Sequence, residues 1–285
     1  MEQITLYNGV KMPIVGYGVY QVSKEECERC VMDALDVGYR SIDTAQSYFN
    51  EEQVGTAIVK SGVPREDIFL TTKVWVEHYG YEETKKSVLE SMRKLQTNYL
   101  DLVLLHQPFS DYYGTYRALE DLYDEGKLRA IGVSNFYPDR LVDIASFSRV
   151  KPMVNQVETH PFNQQIEAKR WMDKYGVQME AWAPFREGRG GLFENPVLVQ
   201  IAEKYKKTTA QIILRWHIQR RVVVIPKSTH KTRMEENLNV FDFVLEQTDL
   251  NRISKLDKKQ SSFFSHSDPS MVEWFVRVVE ERKGK

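Results

Sequence analysis

Asp43, Tyr48, Lys73 and His106 are the residue types from which a proton donor for a carbonyl oxygen can be assembled. A tyrosine phenol ordinarily titrates near ~10, too high for a good donor at neutral pH. A buried Lys73 ammonium beside it would stabilise the phenolate and lower that value. Asp43 would pair with Lys73, so that the buried charge is not left uncompensated. His106 can hydrogen-bond a substrate oxygen and hold it near the phenol. Such a constellation suits carbonyl reduction, but the hydride must come from elsewhere.

These four residues are scattered along the chain, so the fold must bring them together. Eight short apolar runs alternate with helical patterns: Ile14–Val19, Tyr39–Ile42, Ile68–Thr72, Tyr99–Leu105, Ala130–Val133, Met153–Val157, Val177–Trp182 and Val222–Ile225. The runs are continuous rather than alternating, as strands buried on both faces should be. Helical periodicity fills Ser23–Val37, Glu51–Lys60, Tyr81–Leu95, Tyr113–Glu125, Asp139–Ser146, Gln165–Lys174, Thr209–Arg220 and Met271–Glu280. Ser23-Lys24-Glu25-Glu26 reads as a capping box, and Gly38 as the stop of that helix. The pattern predicts an α/β fold: one (β/α)8 barrel domain over residues 1–285, with a C-terminal substrate loop. A hairpin turning at Asn8-Gly9 precedes the first barrel strand and could plug the barrel bottom. Barrels carry their chemistry at the C-terminal ends of their strands. Seven of the eight runs end in a residue able to bind, titrate or stack: Asp43, Lys73, His106, Asn135, Gln156, Trp182 and Lys227.

Several segments around these residues resemble the aldo-keto reductase family. They are Gly38-Tyr39-Arg40-Ser41-Ile42-Asp43-Thr44-Ala45 with Tyr48, Asn50 and Glu51; Thr71-Thr72-Lys73-Val74-Trp75; Leu104-Leu105-His106-Gln107-Pro108; Ile131-Gly132-Val133-Ser134-Asn135-Phe136; Asn155-Gln156-Val157-Glu158; and Ile225-Pro226-Lys227-Ser228. The resemblance runs from about Ile4 to Asp257 and is nearest to bacterial and protozoan members of the diketogluconate reductase, methylglyoxal reductase and prostaglandin F synthase type. It implies that Asp43, Tyr48, Lys73 and His106 are a catalytic tetrad, with Tyr48 as general acid. It also implies that Ser134, Asn135 and Gln156 hold a nicotinamide carboxamide while Trp182 stacks on the ring. Lys227, Ser228 and Arg233 supply a charge, a hydroxyl and a planar fork suited to a 2′-phosphate, which favours NADPH/NADP+. Glu236 and Asn237 would reach the adenine. The substrate pocket is expected from Tyr20, Trp75, Gln107, Phe263 and Phe264. Gln107 stands where many members carry Trp and should add a polar contact to the substrate; Trp182 stands where many animal members carry Tyr. The implied activity is NADPH-dependent reduction of aldehydes and ketones to alcohols. A cofactor-binding redox sensor with little turnover, or an alcohol dehydrogenase working mainly in the oxidative direction, would use the same residues.

Composition narrows the partners. Lys+Arg 39 against Asp+Glu 40 gives a formal charge of -1, which offers no electrostatic reason to bind nucleic acid or an anionic membrane. No apolar stretch approaches the ~18 residues of a membrane span. Two cysteines in 285 residues make no disulfide framework. The expectation is a cytoplasmic monomer acting on a small carbonyl compound. Cys27-Glu28-Arg29-Cys30 reads as helix packing rather than a redox or metal site, since no second pair completes four ligands. Tyr81 and Lys85 mimic a Tyr-x-x-x-Lys pair but belong to a surface helix. Gly16-Tyr17-Gly18 lacks the third glycine of a dinucleotide fingerprint. His78, His160, His217, His230 and His266 show no metal-ligand spacing, and no metal is expected. The Gly-rich segment Arg186–Gly191 reads as an arm closing over a cofactor pyrophosphate.

Overall fold

The computed structural model describes residues 2–283. An N-terminal hairpin, β1 (Gln3–Thr5) and β2 (Lys11–Pro13), turns at Gly9, whose φ of 89° is a left-handed conformation that glycine adopts freely. Its Ile4, Leu6 and Met12 are buried in the main core, while Asn8 and Tyr7 hydrogen-bond the backbones of Arg129 and Lys151. Those residues precede barrel strands, so the hairpin sits at the N-terminal end of the barrel, as expected.

Eight parallel strands follow: β3 (Tyr17–Gly18), β4 (Ser41–Asp43), β5 (Phe69–Val74), β6 (Leu102–Leu105), β7 (Ile131–Ser134), β8 (Val154–Glu158), β9 (Gln178–Trp182) and β10 (Val223–Val224). They pair in sequence order from β3 to β10. Closure comes from the residues flanking the two shortest strands. Gly16 N–H donates to Val224 O at 2.8 Å, Val224 N–H to Ile14 O at 3.0 Å, and Gly18 N–H to Pro226 O at 3.3 Å. The fold is therefore the expected (β/α)8 barrel, with strand residues buried almost throughout because helices cover the outside and side chains fill the inside.

The helices obey their local signals. Ser23 Oγ accepts from Glu26 N–H and caps Lys24–Val37, and Gly38 ends it at φ 113°. Cys27 and Cys30 are free and buried on its inner face, and burial pushes the Cys27 thiol up to about 12. Tyr81 and Lys85 bind Asp121 in the next helix and Glu125 at its end, and neither lines the cavity at the barrel mouth. Helices Pro196–Tyr205, Lys231–Leu238 and Gln247–Ser254 lie outside the eight helical segments named above. The first carries plain start signals: Asn195 accepts from Val197 and Leu198 N–H, and Pro196 fills the first turn. The C-terminal stretch is more than a loop. Helix Pro269–Lys283 packs Phe275 against Trp75, Val76 and Phe109 in an apolar cluster of its own.

The barrel seam depends on backbone contact. A Cβ added at Gly18 would lie 2.9 Å from Ile225 O, a position that backbone cannot vacate without opening the seam. We expect Gly18→Ala to lower the unfolding free energy by about 1–3 kcal/mol. Urea denaturation measures this; an unchanged midpoint would show that the seam tolerates separation.

Candidate active site

The C-terminal ends of the strands open into a cavity of about 1140 Å³. Of the residues expected at the site, all line this cavity except Lys73, which lies wholly buried behind Tyr48. Strand β4 delivers Asp43, and the segment after it is fastened by Thr44 Oγ1 donating to Asn50 Oδ1 at 2.8 Å. Asn50 Nδ2 in turn donates to Val19 O at 3.1 Å. Between these anchors the chain makes a short turn, Gln46–Tyr48, that points the phenol into the mouth. Gln46 also accepts from Trp75 N–H, so one turn positions two of the expected pocket aromatics.

The Lys73 ammonium donates to Asp43 Oδ1 at 2.5 Å, to Thr44 O at 3.0 Å and to Tyr48 Oη at 3.3 Å. An ammonium has three protons, and each is taken. Burial works against the Lys73 charge, but Asp43 with Tyr48 and Glu180 more than offsets it and holds the ammonium above its ordinary value. Because Tyr48 Oη accepts from Lys73, its own proton must point elsewhere, and the open direction is the cavity. The expected lowering of the phenol does not win. Burial pushes Tyr48 up to about 12 against the opposing pull of Lys73, so the phenol is protonated at neutral pH.

His106 sits on the other side, its ring 5.9 Å from that of Tyr48 and 5.0 Å from that of Trp75. Burial, reinforced by the Lys73 cation, holds the imidazole well below its ordinary value, so it is neutral. Its Nδ1 is buried without a partner, leaving Nε2 as the ring nitrogen that meets the cavity. Gln107 lines the cavity, and its Oε1 accepts from His266 Nε2 at 2.8 Å, which fastens the C-terminal segment. Burial pushes His266 down to about 4, which keeps it a neutral donor. Phe264 and Phe109 pack on the His266 ring.

Across the barrel, Ser134, Gln156 and Glu180 are register partners on β7, β8 and β9. Gln156 Nε2 donates to Asp43 Oδ2 and to Glu180 Oε2, both at 2.9 Å. With both amide protons taken, Gln156 Oε1 is the atom left for another group. Asn135 adopts a left-handed φ of 65°, and its Oδ1 accepts from Trp182 Nε1 at 2.8 Å. Phe263 lies 5.2 Å from the Trp182 ring, pinned by its neighbours. Ser261 Oγ and Ser262 N–H both donate to Glu158, which also pairs with His160. Burial opposes the Glu158 charge, but these donors outweigh it and hold the carboxylate below its usual range. Glu180 was not foreseen. Burial, then repulsion from Asp43, pushes it up to about 8. The signal was present: it is the charged residue within an otherwise uncharged run, on the same strand face as Trp182.

The far end of the cavity carries Lys227, Ser228, Arg233, Glu236 and Asn237. Neither Lys227 nor Arg233 makes an ion pair or side-chain hydrogen bond among the described residues, although both are exposed at one rim. Two unpaired cations beside the open N-terminus of helix Lys231–Leu238 form a cradle for a phosphate, which fits the expected NADP(H). The Ser228 hydroxyl is partly committed, accepting from His230 N–H at 3.1 Å. Glu236 accepts from Thr208 Oγ1, and Thr208, Thr209 and Ala210 line the same end without having been expected there. The Gly-rich segment contributes Glu187 and Gly188 to the wall, and Arg186 Nε fastens it to Ser262 Oγ at 2.7 Å.

Comparison with known proteins follows the same lines. Residues 14–258 match the model of the aldo/keto reductase family. The chain is 49% identical over 261 residues to a glyoxal reductase of Bacillus subtilis, covering 91% of this chain and 94% of that protein. It is 41% identical over 258 residues to the methylglyoxal reductase DkgA of Escherichia coli, covering 90% and 93%. The crystal structure of a Bombyx mori aldo-keto reductase in complex with NADP superposes with a TM-score of 0.88 at 33% identity, covering 95% of this chain and 96% of that one.

Glu180 sets a pH test. Its folded value lies above its ordinary 4.5, so the folded state binds this proton more tightly than the unfolded state. That contribution is complete below about 4.5 and is lost as pH rises through about 8. Unfolding free energy should therefore fall over this window by up to about 1.4 kcal/mol per pH unit, and Glu180→Gln should flatten the fall. Denaturation curves across the window decide; identical slopes would mean that Glu180 is already ionised.

Proposed function

Since this chain belongs to the aldo/keto reductase family, we propose that it reduces aldehydes and ketones to alcohols with NADPH, Tyr48 delivering the proton. It is an NADP(H)-dependent oxidoreductase acting on small carbonyl compounds. The observation that carries the proton assignment is the saturation of Lys73: with its three protons engaged, Tyr48 is the donor of this linked pair left facing the cavity. When bound, NADPH would supply the hydride for the carbonyl carbon. Lys227 and Arg233 would hold the 2′-phosphate, Glu236 and Asn237 the adenine, and Ser134, Asn135 and Gln156 the carboxamide, with Trp182 against the ring. The neutral His106 donates or accepts a hydrogen bond without adding charge, and orients the carbonyl oxygen toward Tyr48. As negative charge grows on that oxygen, the phenol releases its proton and Lys73, already in contact, stabilises the phenolate. Asp43 keeps Lys73 charged throughout. No helix among the described residues is long and apolar enough to cross a membrane.

The glyoxal and methylglyoxal reductase relatives make these two dicarbonyls the first substrates to assay. With methylglyoxal and NADPH, Tyr48→Phe should lower kcat by at least ~10²-fold while leaving the NADPH dissociation constant nearly unchanged. A variant with wild-type turnover would remove Tyr48 from the mechanism.

Cofactor choice is tested at the other end of the cavity. Arg233→Met should weaken NADPH by about 10- to 100-fold and NADH far less, because only the former carries the 2′-phosphate. Fluorescence titration gives both constants, and equal losses would exclude phosphate recognition at Arg233.

A further inference from the structure

The substrate end of the cavity holds a cation with no hydrogen-bonded partner among the described residues. Arg282, on the last turn of helix Pro269–Lys283, lines the cavity wall together with Trp75 and His106. Its guanidinium lies 5.1 Å from the Trp75 ring centre and 4.9 Å from that of Phe49. None of its five donors makes a hydrogen bond among the described residues, and Nη1 is buried without a partner. Its ion pair with Glu77, at 3.9 Å, is too long for a hydrogen bond, and Glu77 also faces His78 at 3.3 Å. Trp75 Nε1 is a second buried donor without an acceptor in the same wall. Two orphaned donors side by side, one cationic, leave a deficit that an anionic acceptor would fill. The charged side chains Lys227, Arg233, Glu236 and Glu187 belong to the cofactor end or the Gly-rich wall, so Arg282 is the cation of the substrate end.

We propose that Arg282, with Trp75 Nε1, forms a carboxylate-recognition site, and that the preferred substrates are aldehydes bearing a carboxylate several carbons from the carbonyl. The spacing follows from the wall itself. The Trp75 ring lies 5.0 Å from the imidazole and 5.1 Å from the guanidinium, so one ring borders both groups. With the carbonyl held at Tyr48 and His106, a carboxylate that reaches Arg282 is carried on a linker along this wall. A chain of a few methylenes spans the Trp75 ring, where the aromatic wall favours it. The guanidinium can take both carboxylate oxygens in its planar fork.

The proposal rests on the carbonyl-reductase reading, and the test separates the two. Succinic semialdehyde and the neutral butanal are compared with NADPH, in the wild type, Arg282→Met and Arg282→Lys. The wild type should favour the acid, and Arg282→Met should lower the acid-to-neutral ratio of kcat/KM by about 10- to 100-fold, chiefly through KM. Arg282→Lys should restore part of it. In parallel, glutarate, which has no carbonyl, is titrated calorimetrically into each protein in the presence of NADP+. Glutarate binding to the wild type that weakens tenfold or more in Arg282→Met supports the site independently of turnover. An unchanged ratio, or glutarate binding that ignores Arg282, overturns it. Failure to reduce either aldehyde would count against the reductase reading alone, with the titration still deciding the role of Arg282.

Discussion

Placing the Lys73 ammonium inside the barrel would cost several kcal/mol unless its charge and all three of its protons were matched. The match constrains the whole fold. Asp43 and Thr44 O must come from the neighbouring strand, which the register between β4 and β5 provides by setting Asp43 beside Thr71, two residues before Lys73. Tyr48 must fold back over the same nitrogen, which requires the turn fastened by Thr44 and Asn50. Asp43 then has one oxygen left over. Gln156 satisfies it from β8, which is not a neighbour of β4 in the sheet, so the hydrogen bond crosses the barrel interior. A sheet that failed to close would separate these two strands. The seam at Gly18 and the charge at Lys73 are in this sense one constraint.

Burial fixes the protonation states around this pair, and it acts in opposite senses on different groups. It drives His106 neutral and keeps Tyr48 and Glu180 protonated, while Lys73 stays charged because Asp43 is in contact. Around Tyr48 there is therefore one cation and one anion, Lys73 and Asp43, hydrogen-bonded to each other, with His106 and Glu180 uncharged beside them. A second ionised carboxylate at Glu180 would compete with Asp43 for Lys73 and leave Gln156 between two like charges. With Glu180 neutral, both of its neighbours keep a single orientation. The amide of Gln156 cannot flip without setting its oxygen against Asp43.

The barrel and the residues on its strand ends were legible because both follow from short-range patterns. A buried parallel strand reads as a continuous apolar run, and the polar residue that follows it marks the exit into the mouth; Asp43, Lys73 and His106 were all found this way. Glu180 escaped because it lies within its run rather than at the end, where a charged residue has no place unless it is neutralised. Gln107 was legible as a departure, but its partner His266 is 159 residues away and nothing local signals the contact. The phenol of Tyr48 illustrates a different limit. The presence of Lys73 gave the direction of one influence correctly, and only the depth of burial decided that the opposing influence is larger.

The two ends of the cavity are built in different ways. The chemistry and the cofactor end stand on strand termini and the turns directly after them, where backbone pairing fixes each position. The substrate end is closed by a segment that follows the barrel and lies outside residues 14–258 that match the family model. It is attached by side chains: Glu158 gripping Ser261 and Ser262, Gln107 holding His266, and Phe275 seated on Trp75 and Phe109. Each attachment lands on a residue that follows a strand end or belongs to the turns there, so the closing segment reads the barrel's own geometry. Its docking is nonetheless separable from barrel closure, since none of these contacts touches the seam. A chain can in this way alter the lining of its cavity, through residues such as Trp274, Phe275 and Arg282, while the hydrogen-bonded network of Asp43, Lys73 and Tyr48 stays as it is.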